Sequence, residues 1–118
     1  MAYELKQLTG QDQEQMIAFY TGVFTQPPWN DDWSDKRQLS SYMEDLTANK
    51  NSVAFGFYRG KEMIGLSMGS IRHWYQGTEY FIDEFCVRTD LQGQGIGTAF
   101  LKAVEDRIRT MGVVHIFL

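Results

Sequence analysis

Hydrophobic residues along this 118-residue chain follow two different spacings, which separate predicted helices from predicted strands. A short alternating segment, Tyr3–Leu8, predicts a first strand. Apolar positions then recur every three or four residues after Thr9, which suits a helix N-cap, and again after Ser34 or Asp35. We therefore expect two amphipathic helices, separated at 25–34 by an irregular loop because two prolines interrupt regular structure there.

The second half of the chain changes to the alternating spacing of strands. Three strands are predicted, at Val53–Tyr58, Met63–Trp74 and Glu79–Val87. After a glycine-rich turn, an apolar stripe from about Ile96 to Met111 predicts a strong helix, and Val113–Leu118 begins a last strand. The order β-α-α-β-β-β-α-β predicts an α/β fold with a mixed sheet. Its final strand–helix–strand implies a parallel pair, whereas the earlier strands imply an antiparallel meander.

Composition narrows the class of protein. The length suits a single domain, 1–118, and 43% apolar with 22% charged residues is typical of a globular protein. The formal net charge of −4 argues against a nucleic-acid partner, whose phosphates require a basic face. Apolar runs are too short to span a membrane, and no metal-ligand spacing occurs. With one cysteine and no signal-peptide pattern, we expect a cytoplasmic protein without a membrane partner or metal.

The turn Gln92–Gly97 carries the clearest chemical signal. It lies between a predicted strand and a predicted helix, where glycines let the backbone approach an anion and the free N–H groups of the helix attract negative charge. A Walker A loop is excluded because no lysine occurs between Lys61 and Lys102. A Rossmann fingerprint is excluded because its third glycine falls on Thr98 or Phe100. The remaining pattern, Q-x-x-G-x-G, is either a phosphate-binding turn or only a tight connection.

The chain resembles the GNAT superfamily of acetyl-coenzyme A-dependent acyltransferases over nearly its whole length. The family signature is Arg or Gln, two residues, Gly, one residue, then Gly or Ala. Gln92, Gly95 and Gly97 match it, and the element order is similar as well. The stretch Ile82–Val87 also looks like the strand that precedes this signature. The resemblance therefore implies the GNAT fold.

The resemblance further implies an N-acetyltransferase that transfers acetyl from acetyl-coenzyme A to a primary amine by direct attack on the thioester. The residues implied to hold the coenzyme pyrophosphate through their backbone are Gln92, Gly93, Gln94, Gly95, Ile96, Gly97 and Thr98. The residues implied to pair with the pantetheine arm, like an added strand, are Phe85, Cys86 and Val87.

Two adjacent acids, Asp83 and Glu84, interrupt an otherwise apolar strand. Polyamine and aminoglycoside acetyltransferases, which the chain resembles in particular, carry acids at these positions. An amine must lose a proton before it attacks, so we predict Asp83 as base or amine anchor and Glu84 as a second anchor. Strict alternation places Asp83 on the face of Phe85, and Glu84 on the face of Ile82. The alternative is a pair of structural carboxylates bonded to neighbouring backbone.

The loop between the first two helices is the other candidate acceptor element. Trp29 and Trp33 occur there beside Asp31 and Asp32, and aromatic rings with carboxylates suit a cationic amine. The alternative is that both tryptophans only anchor the loop. We expect a small cationic acceptor such as a polyamine, an aminoglycoside or an amino-acid derivative, with peptide amines as a further option. Cys86 is expected to be a buried strand cysteine rather than a nucleophile.

The chain ends at Leu118 inside the last predicted strand, whereas the family it resembles continues with a helix and two more strands. We therefore expect a domain that is incomplete at its C-terminus, with an apolar edge available for a homodimer. An alternative function follows, in which a truncated acyltransferase fold binds coenzyme A, or exchanges strands in a dimer, without turnover. A nucleotide-binding regulatory domain is a third option, disfavoured by the two excluded phosphate motifs.

Overall fold

The computed structural model describes residues 2–118, which form one five-stranded sheet with helices on both faces. In chain order the elements are β1 (Glu4–Leu8), α1 (Gln13–Phe24), α2 (Lys36–Thr47), β2 (Ser52–Arg59), β3 (Glu62–Trp74), β4 (Gly77–Val87), α3 (Ile96–Arg109) and β5 (Val113–Phe117). Short 3₁₀ turns at Gly10–Asp12 and Thr89–Leu91 precede α1 and α3. The predicted α/β fold and its element order are confirmed.

Both predicted N-caps act as local start signals. The Thr9 side chain accepts the Gln11 N–H at 3.3 Å, and the Asp12 carboxylate accepts the Thr9 N–H at 2.8 Å, which together make a capping box. Asp35, rather than Ser34, caps α2 by accepting a backbone N–H at 3.1 Å. Because a cap satisfies helix donors that would otherwise be unpaired, these side chains explain where the helical segments begin.

The strands lie in the sheet in their chain order. The first four pair antiparallel, and β4 pairs parallel with β5 through α3. Helices α1 and α2 cover one face, where the buried residues include Met16, Tyr20, Leu39, Met43, Leu66 and Met68. Helix α3 covers the other face, where the buried residues include Phe55, Ile64, Tyr80, Phe100, Val104 and Ile108. Two separate cores thus hold the central strands β3 and β4 from both sides.

Strand β5 pairs with the first part of β4. The register pairs Thr78 to Phe81 with β5, and β4 then continues to Val87 along β3. Because β5 ends at Phe117, the partner of Phe81, the described residues place no strand along that edge of β4 at 82–87. Residues 82–87, the open half of β4, lie directly before the glycine-rich turn.

A β-bulge at Asp83 changes which residues of β4 face each core. Met68 of β3 pairs with Glu84, whereas the next residue, Gly69, pairs with Ile82, so Asp83 is an extra residue in β4. A Cβ atom on Gly69 would lie 2.1 Å from the carbonyl oxygen of Phe81. Glycine therefore permits the close approach of β4 at the bulge.

The bulge shows that the predicted strict alternation of β4 is wrong. Ile82 and Phe85 both pack against the α3-side core, although an uninterrupted strand would place them on opposite faces. Cys86 belongs to the core under α1 and α2, and Glu84 reaches Tyr42 of α2 on that side. Glu84 therefore does not share the face of Ile82, because the extra residue reverses the alternation between the two.

The outer edge of β5 exposes apolar side chains. Val114 is 60% exposed and Phe117 is 44% exposed, as expected for the sequence's apolar final strand. Among residues 2–118, no helix is long and apolar enough to cross a membrane.

Candidate active site

The glycine-rich turn adopts a backbone shape that side chains would strain. Gly93 and Gly95 have φ angles of +82° and +79°, in the left-handed region that residues with a Cβ atom seldom adopt. A Cβ atom built at either position would meet nothing within 4 Å. The glycines are therefore required by backbone conformation rather than by crowding, and the surface over the turn is open. This open surface fits a phosphate group approaching the backbone.

Helix α3 begins with unpaired backbone donors beside this open surface. The Ala99 N–H donates to the Gly95 carbonyl at 3.1 Å. The N–H groups of Ile96, Gly97 and Thr98 lie before this first helical hydrogen bond. No side chain of the described residues accepts a hydrogen bond from them. These N–H groups, with the positive end of the helix dipole, suit a pyrophosphate. The chain thus fits coenzyme A at the turn where the sequence predicted it.

Packing of α3 against β4 determines where these donors lie. The Phe85 and Phe100 rings are stacked with centroids 4.8 Å apart, and Phe57 stacks on the same Phe100 ring at 5.0 Å. Ile96 in the first turn of the helix is also buried. These apolar contacts hold the helix N-terminus next to the open half of β4.

The side chain of Gln92 joins the turn to the end of β4. Its Nε2 donates to the Val87 carbonyl at 3.1 Å. The sequence predicts only a backbone contact between Gln92 and the coenzyme. The structure adds that its side chain holds the start of the turn, which explains why an amide donor suits this position.

We expect Gln92→Ala to weaken coenzyme A binding about fivefold to tenfold, because losing one hydrogen bond of about 1 kcal/mol loosens the turn. Calorimetric titration with coenzyme A measures the change. Gln94→Ala is the comparison, since it truncates an exposed amide in the same turn and leaves the backbone in place. An equal loss in both variants would contradict a specific role for the bond from Gln92 to Val87.

In the open half of β4, the backbone groups of Phe85 and Val87 point away from β3. The Arg88 N–H donates to the Ile64 carbonyl of β3 at 2.9 Å. In an antiparallel ladder the direction of these groups alternates, so Cys86 also faces β3 while Phe85 and Val87 face away from it. The Val87 carbonyl already accepts Gln92 Nε2, so an extended ligand could pair as an added strand with both backbone groups of Phe85 and with the Val87 N–H.

Arg88 and its ion pairs were missed by the sequence analysis. Its guanidinium lies 2.7 Å from Asp90 and 3.1 Å from Glu62 at the start of β3, and Glu62 also pairs with Arg59. Hydrogen bonds from Arg88 lower the pKa of both Asp90 and Glu62. Beside this network, between α1 and the 3₁₀ turn, lies a cavity of about 490 Å³. The charges that meet here come from distant parts of the sequence, so no local pattern indicated them.

Glu84 occupies the most enclosed acidic position of the site. The Tyr42 hydroxyl donates to its Oε2 atom at 2.5 Å, and Trp33 stacks on the Tyr42 ring with centroids 5.4 Å apart and an interplanar angle of 17°. Tyr20 approaches Trp33 edge-on at 5.7 Å. Asp83, by contrast, is exposed at the bulge. The structure therefore brings Glu84 and Trp33 together through Tyr42 of α2.

Burial and negative charge keep the tyrosines of this cluster protonated. Burial raises the pKa of both Tyr20 and Tyr42 well above the usual range, and the Glu84 carboxylate raises them further. Neutral hydroxyls at these positions remain donors at any physiological pH.

Trp29 lies apart from this cluster. Its ring packs edge-on against Phe24 at 5.2 Å, and the side chain is 44% exposed. The Asp31 N–H donates to the Phe24 carbonyl at 2.8 Å and turns the loop back over the end of α1. Of the two predicted acceptor-loop tryptophans, Trp33 thus contacts the Glu84 cluster, and Trp29 sits at its outer side.

Cys86 is a buried thiol in β4, as the sequence analysis expected. Burial, with a smaller contribution from the Glu84 charge, raises its pKa from 9.0 to about 12. The thiolate that would be needed for nucleophilic chemistry is therefore suppressed.

We expect native protein to react slowly with a thiol reagent at mildly alkaline pH and urea-unfolded protein to react at once. Because the pKa of Cys86 is higher in the folded state, the unfolded chain releases this proton first, and the unfolding free energy falls as pH rises from 9.0 towards about 12. Absorbance of released reagent and alkaline urea titrations, with Cys86→Ala as control, measure both effects. Rapid labelling of folded protein would contradict the assignment.

A mixed α/β sheet followed by a glycine turn whose backbone suits pyrophosphate fits a coenzyme A-binding transferase. A model of the acetyltransferase (GNAT) family matches residues 14–118, so the chain belongs to that family. It is accordingly an N-acetyltransferase that transfers acetyl to an amine and uses acetyl-coenzyme A as co-substrate. A search of the curated proteins finds no match.

Solved structures with the same fold include several acetyltransferases. A GNAT family acetyltransferase from Staphylococcus aureus has a TM-score of 0.78 at 15% identity, with 100% of this chain and 86% of that chain covered. An aminoglycoside acetyltransferase from an uncultured soil metagenomic sample, in complex with sisomicin, has a TM-score of 0.72 at 20% identity, with 98% and 75% covered.

A third similar structure contains a coenzyme A derivative. It is AAC(6')-Iy in complex with the bisubstrate analogue CoA-S-monomethyl-acetylneamine, with a TM-score of 0.67, 17% identity and coverage of 98% of this chain and 78% of that chain. The homodimer that the sequence suggested through its last strand receives no support from these comparisons, and we do not retain it.

Proposed function

We propose that this N-acetyltransferase acts on a primary amine of a small, cationic molecule. The observation that carries the proposal is the Glu84 carboxylate, held next to the bulge of β4 by Tyr42, whose ring is stacked on Trp33. A carboxylate within an aromatic cluster suits an ammonium group, through charge pairing and cation–π attraction.

The coenzyme side of the site is proposed along the open edge of β4 and the following turn. Bound acetyl-coenzyme A supplies an acyl group already activated as a thioester. Backbone groups of Phe85 and Val87 would hold the extended arm, with Cys86 between them contributing only strand continuity. The backbone of Gln92–Thr98 would hold the pyrophosphate. The chain's main contribution is then to position both substrates, which can lower a bimolecular barrier substantially.

The acceptor side is proposed on the face of the sheet under α1 and α2. Glu84 would bind the amine and take up its proton, and Asp83 at the bulge would attract the cation from solvent. Asp31 contributes further negative charge, since its field helps to raise the pKa of Tyr20. The polyamine, aminoglycoside and amino-acid derivative classes all fit this cationic acceptor. The cytoplasmic location predicted from the single cysteine stays a prediction.

The test is thiol release from acetyl-coenzyme A in the presence of a panel of amines. The panel includes a polyamine, an aminoglycoside, an amino-acid amide, a short peptide, and a neutral amine of similar size. We expect turnover to favour the cationic small molecules and to weaken as salt screens the acidic site. Preference for the peptide or the neutral amine would reject the proposed acceptor class. Tight coenzyme binding without turnover of any amine would instead favour a coenzyme-binding module.

A further inference from the structure

Tyr42 of α2 connects the acceptor carboxylate to the helical layer. Its hydroxyl donates to Glu84 Oε2 at 2.5 Å across 42 residues of sequence. Its ring is stacked on Trp33 and lies 6.0 Å from the Tyr20 ring. The ring is thus held on two sides by aromatic neighbours, so the hydroxyl can occupy only a narrow range of positions.

The charged and titratable groups around this hydroxyl are almost all acidic. Glu84 and Asp83 of β4 both raise the pKa of Tyr42, as does the Tyr20 hydroxyl on α1, while burial has the largest effect. Cys86 of β4 is buried on the same side as a neutral thiol. With no cation in this group, a neutral hydroxyl donor is the group that stabilises the Glu84 charge.

The hydrogen bond also orients the carboxylate. It uses Oε2, and within residues 2–118 the Oε1 atom accepts no hydrogen bond. A carboxylate with one oxygen held by a rigid donor keeps its other oxygen pointed in a defined direction. That second oxygen is available for an N–H of the acceptor.

We propose that Tyr42 is a positioning residue, which holds the Glu84 carboxylate aimed at the acceptor amine. This inference rests on the proposed function, because it takes Glu84 as the group that meets the amine. Tyr42 itself touches neither substrate; it acts through Glu84 alone.

Tyr42→Phe tests the hydroxyl while keeping the ring and its stack on Trp33. Tyr58→Phe is the matched control, because Tyr58 is buried and its hydroxyl donates at 3.0 Å to Gln15 Oε1 of α1, away from Glu84. We expect Tyr42→Phe to lower kcat/KM for the preferred amine about tenfold, chiefly through kcat, because the amine still meets the Glu84 charge but is less well aimed. Tyr58→Phe should leave kcat and KM unchanged within error.

A double variant separates positioning from an independent contribution. If Tyr42 acts through Glu84, adding Tyr42→Phe to Glu84→Gln causes no further loss of kcat/KM. A multiplicative loss in Tyr42→Phe/Glu84→Gln would overturn the inference, as would a loss in Tyr42→Phe that lies entirely in KM. Coenzyme A affinity should be unchanged in all of these variants.

A measurement without turnover keeps the inference distinct from the proposed function. The carbon NMR signal of the Glu84 side-chain carboxyl is compared at neutral pH in wild type, Tyr42→Phe and Tyr58→Phe. We expect its chemical shift to move only in Tyr42→Phe, because that variant removes the hydrogen bond to Oε2. An unchanged chemical shift in Tyr42→Phe overturns the inference even if amines are acetylated. A wild type that acetylates none of the amines rejects the proposed function, while the chemical shift still reports on Tyr42.

Discussion

Replacing Gly95 by leucine is expected to weaken coenzyme A binding at least about 100-fold. The phosphate would lose two or more charge-assisted contacts with backbone N–H groups, which together contribute about 3 kcal/mol. Gly95 has φ +79° directly before α3, and leucine there would both strain the backbone and cover the open surface of the turn. Calorimetry with coenzyme A measures the affinity, and circular dichroism reports whether the fold is retained.

Gly112→Leu is the matched control for this substitution. Gly112 has φ +83°, has nothing within 4 Å of a built Cβ atom, and follows the other end of α3. The 14-residue helix separates the two positions by about 21 Å, so strain at Gly112 should lower thermal stability without affecting coenzyme binding. Equal losses of affinity in both variants would indicate general destabilisation and would contradict a pyrophosphate site at this turn.

Replacing Glu84 by glutamine is expected to lower kcat/KM for the amine about 100-fold, because the site loses both its enclosed negative charge and its proton acceptor. Coenzyme A affinity should stay the same, since the Glu84 side chain faces α1 and α2 rather than the turn. Steady-state kinetics over a pH series and calorimetry measure the two properties. Glu79→Gln, which changes another carboxylate of β4 at the end paired with β5, should have little effect.

The Asp83→Asn variant tests whether Asp83 or Glu84 contributes more to kcat/KM. Asp83 is exposed at the bulge, where water screens its charge, so we expect a smaller loss of kcat/KM than in Glu84→Gln and a stronger dependence on salt. The sequence favours Asp83 as the base or amine anchor. A larger loss in Asp83→Asn would support that preference and would assign Glu84 to a structural role.

Much of the fold could be predicted from residue order because its signals are local. The capping residue Thr9 and the apolar spacing of the helices act over a few positions, and so does the strand–turn–helix order around Gln92–Gly97. The left-handed backbone at Gly95 is likewise a property of glycine itself. These features locate the proposed coenzyme site, and they need no knowledge of which strands are neighbours.

The acceptor side could not be predicted in the same way, because it depends on pairing between distant segments. Asp83 is an extra residue only in the pairing of β4 with β3, where Gly69 allows a close approach to the Phe81 carbonyl. Periodicity within β4 alone predicts uninterrupted alternation, and so places Glu84 on the wrong face.

The same physical reason applies to the partners of Glu84 and Arg88. Tyr42 reaches Glu84 because α2 packs over the sheet face on which the bulge places Glu84. Arg88 reaches Glu62 because β3 and β4 are neighbouring strands. The turn proposed to bind the coenzyme could be predicted because its signals lie within its own residues. The environment of the two acids, on which the proposed acceptor class depends, was decided only when the helices and the bulged strand came together.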